Sequence, residues 1–299
     1  MWTMPPVSYI EPLFRPPSEA RSLILQVTNG CSWNHCAFCE MYTAEQKKFR
    51  PKPESELIEE IKRCGEQLSG IRRVFLADGD AMVLSYRRLK TILEAIRQYL
   101  PSVSRVTAYC LPRNLNNKTV AQLAELQALG LSMVYVGVES GDDEVLSIIN
   151  KGETWQTTHD GLHKLQLAGI KRSVMVINGL GGSLYSDQHV RETARLMNAT
   201  QPEYLASLVL FFSQGDQRYK ASFTGKFHAM DSVELFKEMK HFISLLEMKK
   251  TIFRSDHASN LLALKGVLGA DKSKFLMQLD QVIDNQHSVF LRDPSYRSL

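Results

Sequence analysis

The chain has 299 residues, 44% hydrophobic and 23% charged, with 36 Lys and Arg against 32 Asp and Glu for a formal net charge of +4. These values are those of an ordinary folded protein; they exclude a disordered tail, a fibrous repeat and a small disulfide scaffold. The charge is mild and evenly spread, so nucleic acid is not indicated, and the short pairs Lys47-Lys48 and Lys249-Lys250 read as solvated faces.

Residues 1–20 carry five prolines and no periodicity, and read as an extended arm. No apolar run approaches the ~18 residues of a membrane span. The first residues lack a basic region followed by an apolar stretch, so no secretory signal is expected. The expectation is a cytoplasmic chain with no membrane contact, its thiols kept reduced.

After the arm the pattern alternates. Apolar runs at 23–28, 73–77, 106–111, 133–138, 173–177 and 204–212 have strand character. Between and after them, 54–68, 87–99, 119–129, 154–168, 186–197 and 233–248 have helical spacing. The repeat length is that of a βα unit, and six of them predict an α/β fold with a parallel sheet. The expected organisation is an arm over 1–20, a core domain over 21–248 and a mostly helical C-terminal extension over 249–299.

In parallel α/β folds chemistry collects at the C-terminal ends of the strands. There the sequence places Asn29-Gly30-Cys31, Asp78-Gly79-Asp80, Tyr109-Cys110, Glu139-Ser140-Gly141 and Asn178-Gly179. Of five cysteines, Cys31, Cys36 and Cys39 lie within nine residues, while Cys64 and Cys110 stand apart. An odd count with one tight cluster reads as metal ligation. Thiolates select iron–sulfur clusters, zinc or Cu(I). Structural zinc wants four ligands, and no second C-x-x-C pair is present. A cubane cluster on three thiolates leaves one iron open to a further ligand.

The loop Cys31–Cys36–Cys39, with Phe38 before its last cysteine, resembles the signature of the radical S-adenosylmethionine (radical SAM) superfamily. The wording Val136-Gly137-Val138-Glu139-Ser140-Gly141 is most similar to the branch holding oxygen-independent coproporphyrinogen oxidases and methylthiotransferases. One departure is the four residues between the first two cysteines, where three are common. The resemblance implies a partial (β/α)6 parallel barrel and a [4Fe-4S] cluster on Cys31, Cys36 and Cys39. It further implies S-adenosylmethionine (SAM) as cofactor and a flavodoxin- or ferredoxin-like electron donor. Reductive cleavage of SAM would yield a 5′-deoxyadenosyl radical that abstracts a substrate hydrogen.

Position by position, the resemblance puts Asp78, Gly79 and Asp80 at the methionine amino group, without deciding which aspartate makes the contact. It puts Glu139 and Ser140 at the ribose or methionine part, and Lys151 near the SAM carboxylate. Ile177, Asn178 and Gly179 fall at the adenine, with Val209 or Leu210. Tyr109 stands where some relatives carry a carboxylate. Bland readings stand beside these: a solvated turn at 78–80, a helix N-terminal charge at Glu139, a surface lysine at Lys151. Cys110 reads as a small buried hydrophobe.

No ligand set for a second cluster is present, which argues against methylthiotransferase chemistry, and no room for a cobalamin domain is expected before residue 21. In the extension, Arg254 and His257 are candidate substrate contacts, set against a helix N-cap at Ser255 or Asp256. Two other readings compete: a zinc-stabilised, non-catalytic binding protein, and a metal-independent barrel enzyme with a phosphate-binding glycine loop at 179–182.

Overall fold

The computed structural model describes residues 5–285 and Leu291; residues 1–4 of the expected arm, and 286–290 and 292–299 of the expected extension, lie outside the described residues. The chain divides into two units: one through Asn34, Met41–Val136 and Gly161–Arg172, the other His35–Glu40, Gly137–Asp160 and the chain from Ser173 onward.

In the first unit the chain order is β1 (Leu23–Gln26), β2 (Thr28–Asn29), β3 (Arg50–Pro51), α1 (Glu54–Gln67), β4 (Arg73–Ala77), α2 (Tyr86–Tyr99), β5 (Arg105–Cys110), α3 (Val120–Ala128) and β6 (Leu131–Glu139), whose last residues enter the second unit. β1 pairs with β4, β4 with β5 and β5 with β6, all parallel. The helices form because their apolar residues fall on one stripe. Leu57, Ile61 and Cys64 of α1, and Leu89, Ile92, Leu93 and Ile96 of α2, are buried, each large aliphatic side chain contributing about 1.5–3 kcal/mol. Helix starts carry the signals that satisfy free N–H groups: Ser85 accepts from the Arg88 N–H, and Thr119 and Gln122 form a capping box.

One expected strand splits. The run 23–28 leaves the parallel sheet after Gln26, and Thr28–Asn29 pairs antiparallel with Arg50–Pro51. This small ladder closes the neck of the cysteine loop. The arm holds a 3-10 turn at Pro17–Glu19 and is fastened to β1. Tyr9 Oη donates to the Ile24 carbonyl, and Ile10 and the Gln26 side chain exchange two hydrogen bonds, at 2.8 and 3.2 Å.

The second unit continues with α4 (Asp143–Ile148), α5 (Trp155–Leu167, whose last turns belong to the first unit), β7 (Lys171–Asn178), α6 (Gly182–Thr200), β8 (Tyr204–Val209), α7 (Gln217–Ser222), α8 (Ser232–Leu245), β9 (Ile252–Arg254), β10 (Lys265–Val267) and α9 (Leu268–Asp284). β7, β8 and β9 are parallel neighbours, and β10 returns antiparallel. Each unit thus carries a mostly parallel sheet with helices, as the periodicity predicts.

The extension corrects one expectation. Its first part is not helical: Arg254 lies on β9, a seventh parallel strand, and 255–264 is a loop before the helix α9. Three residues are too few for a strand period to stand out, and Phe253 reaches full burial only by docking on β8. Ser255 caps no helix; its hydroxyl donates to the Leu262 carbonyl and accepts from the Leu264 N–H, both at 3.0 Å. Helices α4 and α7 escape the sequence reading because six residues hold less than two turns. No helix among the described residues is long and apolar enough to cross a membrane.

Candidate functional site

In the first unit, the residues after β4 organise the start of the cysteine loop. Asp78 is fully buried, and its Oδ2 receives the Lys47 ammonium, the Gly30 N–H at 3.2 Å and the Gln26 amide at 3.2 Å. Lys47 also donates to the Ile10 carbonyl at 2.9 Å and is itself fully buried, so of the pair expected on a solvated face only Lys48 is exposed. A lysine reaches such a position only by pairing its charge. The other oxygen, Asp78 Oδ1, is buried with no hydrogen-bond partner among the described residues.

Asp80 is equally buried but satisfied on both oxygens: the Ser32 N–H at 2.9 Å, the Ser32 hydroxyl, and the Asn114 amide at 3.3 Å. Burial raises both aspartates above the ordinary carboxylate range; the Lys47 hydrogen bond opposes this at Asp78 and the Ser32 bonds oppose it at Asp80. The turn at 78–80 is therefore not solvated. Gly79 lies between them with its N–H on the Gly30 carbonyl, 3.1 Å away. A Cβ there would stand 2.9 Å from Cβ of Cys31 and 2.8 Å from the Tyr42 ring, so the position admits only glycine. Trp33, two residues past Cys31, lies under the Arg113 guanidinium at 3.9 Å. Tyr109 packs edge-on against Phe75 and Tyr135.

In the second unit, Glu139 ends β6 with a positive φ of 64°, and its carboxylate folds back over Gly137, where a Cβ would stand 2.2 Å from Oε1. Lys151 is 4% exposed, 3.0 Å from Glu139 Oε1 and 5.7 Å from the Phe38 ring centroid. It is no surface lysine. The helix-start charge offered for Glu139 is supplied by Asp142, which accepts from the Val145 N–H at 2.8 Å. Ser140 is fully buried, 2.8 Å from His189 Nδ1, and accepts from the Asp142 N–H.

Asn178 donates to the Leu235 carbonyl, and the Gly179 N–H donates to Glu238 Oε1 at 2.6 Å. The Gly182 N–H goes to Gly179 and the Ser183 N–H to His228. Two of the four N–H groups of the 179–182 loop, those of Gly179 and Gly182, are thus engaged internally, which counts against the glycine-loop reading. Ile177, Phe38 and Leu210 pack on an apolar cluster of Val145, Leu146, Ile149, Leu180, Tyr219 and Phe223. The Val209 N–H donates to Ser259 Oγ, while His257 Nδ1 accepts from the Ser259 N–H at 3.1 Å. Arg254 Nε is buried with no hydrogen-bond partner among the described residues.

The cysteines fall into two classes. Cys31, Cys36 and Cys39 are partly exposed, whereas Cys64 and Cys110 are buried, and none forms a disulfide. Burial pushes the Cys64 thiol up to about 11. Among the described residues no three His, Cys, Asp or Glu side chains are gathered as a metal-holding group. The donor chemistry nonetheless fits an iron–sulfur cluster: three accessible thiols, spaced four and two residues apart, the first beside a glycine with no room for a side chain. For the cofactor, the orphan Asp78 Oδ1 is an acceptor suited to an ammonium.

Four residues that matter here carry no mark in the sequence: Lys47, His189, Arg218 and Glu238. A lysine, a histidine and a glutamate inside mixed polar segments have no periodic signal. Arg218 sits on the short α7, and its guanidinium meets the carbonyls of Cys36, Ala37 and Cys39.

Residues 25–197 match the family described as the Radical SAM superfamily. Among curated proteins, the chain is 28% identical over 211 residues to a tRNA-2-methylthio-N(6)-dimethylallyladenosine synthase of Hahella chejuensis, covering 66% of this chain and 44% of that protein. An uncharacterized protein of Methanopyrus kandleri is 29% identical over 160 residues, covering 49% of this chain and 29% of its own length. The chain spans less than half the length of these curated relatives. Among solved structures, the radical S-adenosylmethionine methyltransferase TsrM from Kitasatospora setae superposes with a TM-score of 0.51 at 22% identity, covering 63% of this chain and 34% of that one. Methylornithine synthase superposes with a TM-score of 0.50 at 12% identity, covering 87% and 81%. These likenesses show the fold. None of the matches supports a zinc-stabilised, non-catalytic protein.

Proposed function

The chain belongs to the Radical SAM superfamily and is an enzyme of that class; from that premise we propose that it binds a [4Fe-4S] cluster through Cys31, Cys36 and Cys39 and SAM beside it. The observation that carries this reading is the trio of partly exposed thiols inside the family-matched segment. When bound, the cluster would supply the electron that cleaves SAM to methionine and a 5′-deoxyadenosyl radical, which takes a hydrogen from the substrate. That electron comes from an external donor, for which a flavodoxin- or ferredoxin-like protein is the proposal.

The chain's own residues would position the cofactor. Asp78 Oδ1 is the spare acceptor for the methionine ammonium, because Asp80 has no oxygen left over. Lys151, held by Glu139, presents buried positive charge for the SAM carboxylate, and Phe38 covers its ammonium. Ser140 is oriented by His189, and its hydroxyl already serves the Asp142 N–H, so its part is to fix the turn after β6. Ile177 and Leu210 offer apolar surface to the adenine, with Gly179 at the end of β7. Arg254 and His257 remain candidates for substrate contact.

The test is anaerobic reconstitution followed by iron and sulfide analysis, and mass spectrometry for 5′-deoxyadenosine after addition of a strong reductant and SAM. About four irons and four sulfides per chain are expected, with cleavage of SAM above a control in which Cys31, Cys36 and Cys39 are all alanine. Full iron retention in that triple variant would sink the proposal.

A further inference from the structure

Cys36 to Glu40 form a tight turn whose polar groups are answered by α7, by the segment that precedes it and by the residues after α4. Arg218 donates Nη2 to the Cys36 carbonyl at 2.7 Å and to the Cys39 carbonyl at 2.6 Å, and Nε to the Ala37 carbonyl at 3.1 Å. In the opposite direction, Glu40 Oε2 accepts from the Ser213 N–H at 3.0 Å, the Ser213 hydroxyl at 2.8 Å and the Gln214 N–H at 3.3 Å. The Ala37 N–H goes to the Ile149 carbonyl at 2.8 Å and the Asn150 amide reaches the His35 carbonyl at 3.4 Å. Both chemical ends of the turn are thus held from sequence positions more than a hundred residues away.

A planar fork with fixed donors suits this task, since one guanidinium spans three carbonyls that a single ammonium could not meet in one geometry. Its permanent charge has a second consequence. The carbonyls it binds include those of two residues that, on the reading above, carry thiolates. Each electron added to a cluster held there would add negative charge, and a fixed cation on the carbonyls of the same turn would favour the reduced form.

We infer that Arg218 is a positioning residue for the Cys36–Cys39 turn that also sets the reduction potential of the cluster proposed there. The inference rests on the cluster reading, and Arg218 touches backbone carbonyls only, so it is not assigned a part in the reaction itself. Glu40 and Ser213 complete the clasp from the other side. The same clasp explains why α7, a helix of six residues, is held in place: its Arg218 is tied to the turn while Tyr219 is buried among Phe212, Phe223 and Phe227.

The experiment compares wild type, Arg218→Gln and Arg218→Lys after anaerobic reconstitution, reading iron and sulfide per chain and, by redox titration, the midpoint potential of the cluster. Arg218→Gln loses charge and fork, and its cluster should be harder to reduce by about tenfold in the reduced-to-oxidised ratio, which for one electron is a shift of about 59 mV to more negative potential. Arg218→Lys keeps the charge and should stay close to the wild-type potential even where it holds less iron. A fully loaded Arg218→Gln with an unchanged potential would overturn the inference. Should Arg218→Gln take up no iron, Arg218→Lys decides: loaded at the wild-type potential, it supports the assignment, and loaded at a strongly shifted potential, it refutes it. A wild-type chain that holds no iron would instead remove the cluster reading before Arg218 is reached.

Discussion

Lys47→Met is the substitution whose consequence the structure defines most closely. The Lys47 and Asp78 side chains are both 0% exposed, and among the described residues the Lys47 ammonium is the cation paired with the carboxylate. Removing one member of a buried pair leaves the other uncompensated, at a cost of about 3–5 kcal/mol. Against a typical total of about 5–15 kcal/mol that is a large fraction. The variant also loses the bond from Lys47 to the Ile10 carbonyl, one of those fastening the arm. Equilibrium urea unfolding of the iron-free chain should show the midpoint lowered by about 1 M or more.

The deficit should depend on pH in a definite direction. Burial already raises Asp78, and Lys47 is the main influence lowering it, so the methionine variant raises it further. A carboxyl whose folded pKa lies above its unfolded value favours folding when protonated. The Lys47→Met deficit is therefore full above the variant's raised folded pKa and shrinks as pH falls from there toward the lower folded pKa of the wild type. The double variant Lys47→Met with Asp78→Asn removes both charges and keeps an acceptor for the Gly30 N–H. It should cost less than the sum of the two single changes. A single-variant deficit below about 1 kcal/mol at neutral pH, or additive losses in the double variant, would refute a buried ion pair at the loop neck.

Two further expectations concern the thiols and the aspartates. Alkylation of the iron-free folded chain at pH 8 should modify Cys31, Cys36 and Cys39 and spare Cys64, whose thiol at about 11 is ionised in roughly one molecule per thousand; peptide mass spectrometry reads the sites, and Cys64 labelling as fast as Cys36 would contradict its burial. Because the folded Cys64 value lies above the unfolded one near 8.5, its contribution to stability is present below that pH and is lost as pH rises toward about 11. For SAM, Asp78→Asn in the Lys47→Met background should weaken affinity about ten- to hundredfold, the equivalent of one charge-assisted hydrogen bond, while Asp80→Asn should leave it within a few fold; equal losses in both, measured by calorimetry on iron-loaded protein, would refute the assignment to Asp78.

The sequence makes plain the features that repeat or cluster. Six strands and six long helices follow from apolar spacing over windows of five to nineteen residues, and the three cysteines stand out because thiols at such short spacing on a loop seldom serve anything but a metal. What escapes is pairing across long separations. Lys47 beside Lys48 reads as solvent-facing because nothing local reveals that Asp78 waits thirty-one residues away. Likewise Arg218 lies 182 residues from the Cys36 carbonyl it holds. Short elements escape for a different reason: α4, α7, β9 and β10 are each shorter than the windows in which a period becomes visible, and they exist because the sheet edge and the loops already offer them partners.

The same long-range pairing separates the two aspartates that the sequence leaves equivalent. Both flank Gly79, both are buried, and both have their carboxyls raised by that burial. Their partners differ. Asp80 divides its donors over two oxygens, so it binds Ser32 and Asn114 and keeps the first residue after Cys31 in place. Asp78 gathers Lys47, Gly30 and Gln26 on one oxygen, which leaves the other without a donor among the described residues. A buried acceptor left unmade costs about 1–3 kcal/mol, and such a cost persists where a ligand's donor completes the site. The lysine is then what makes that oxygen useful: it fixes the carboxylate's orientation and opposes the rise that burial imposes on its pKa, so that a second ammonium, arriving with the cofactor, meets an oriented acceptor.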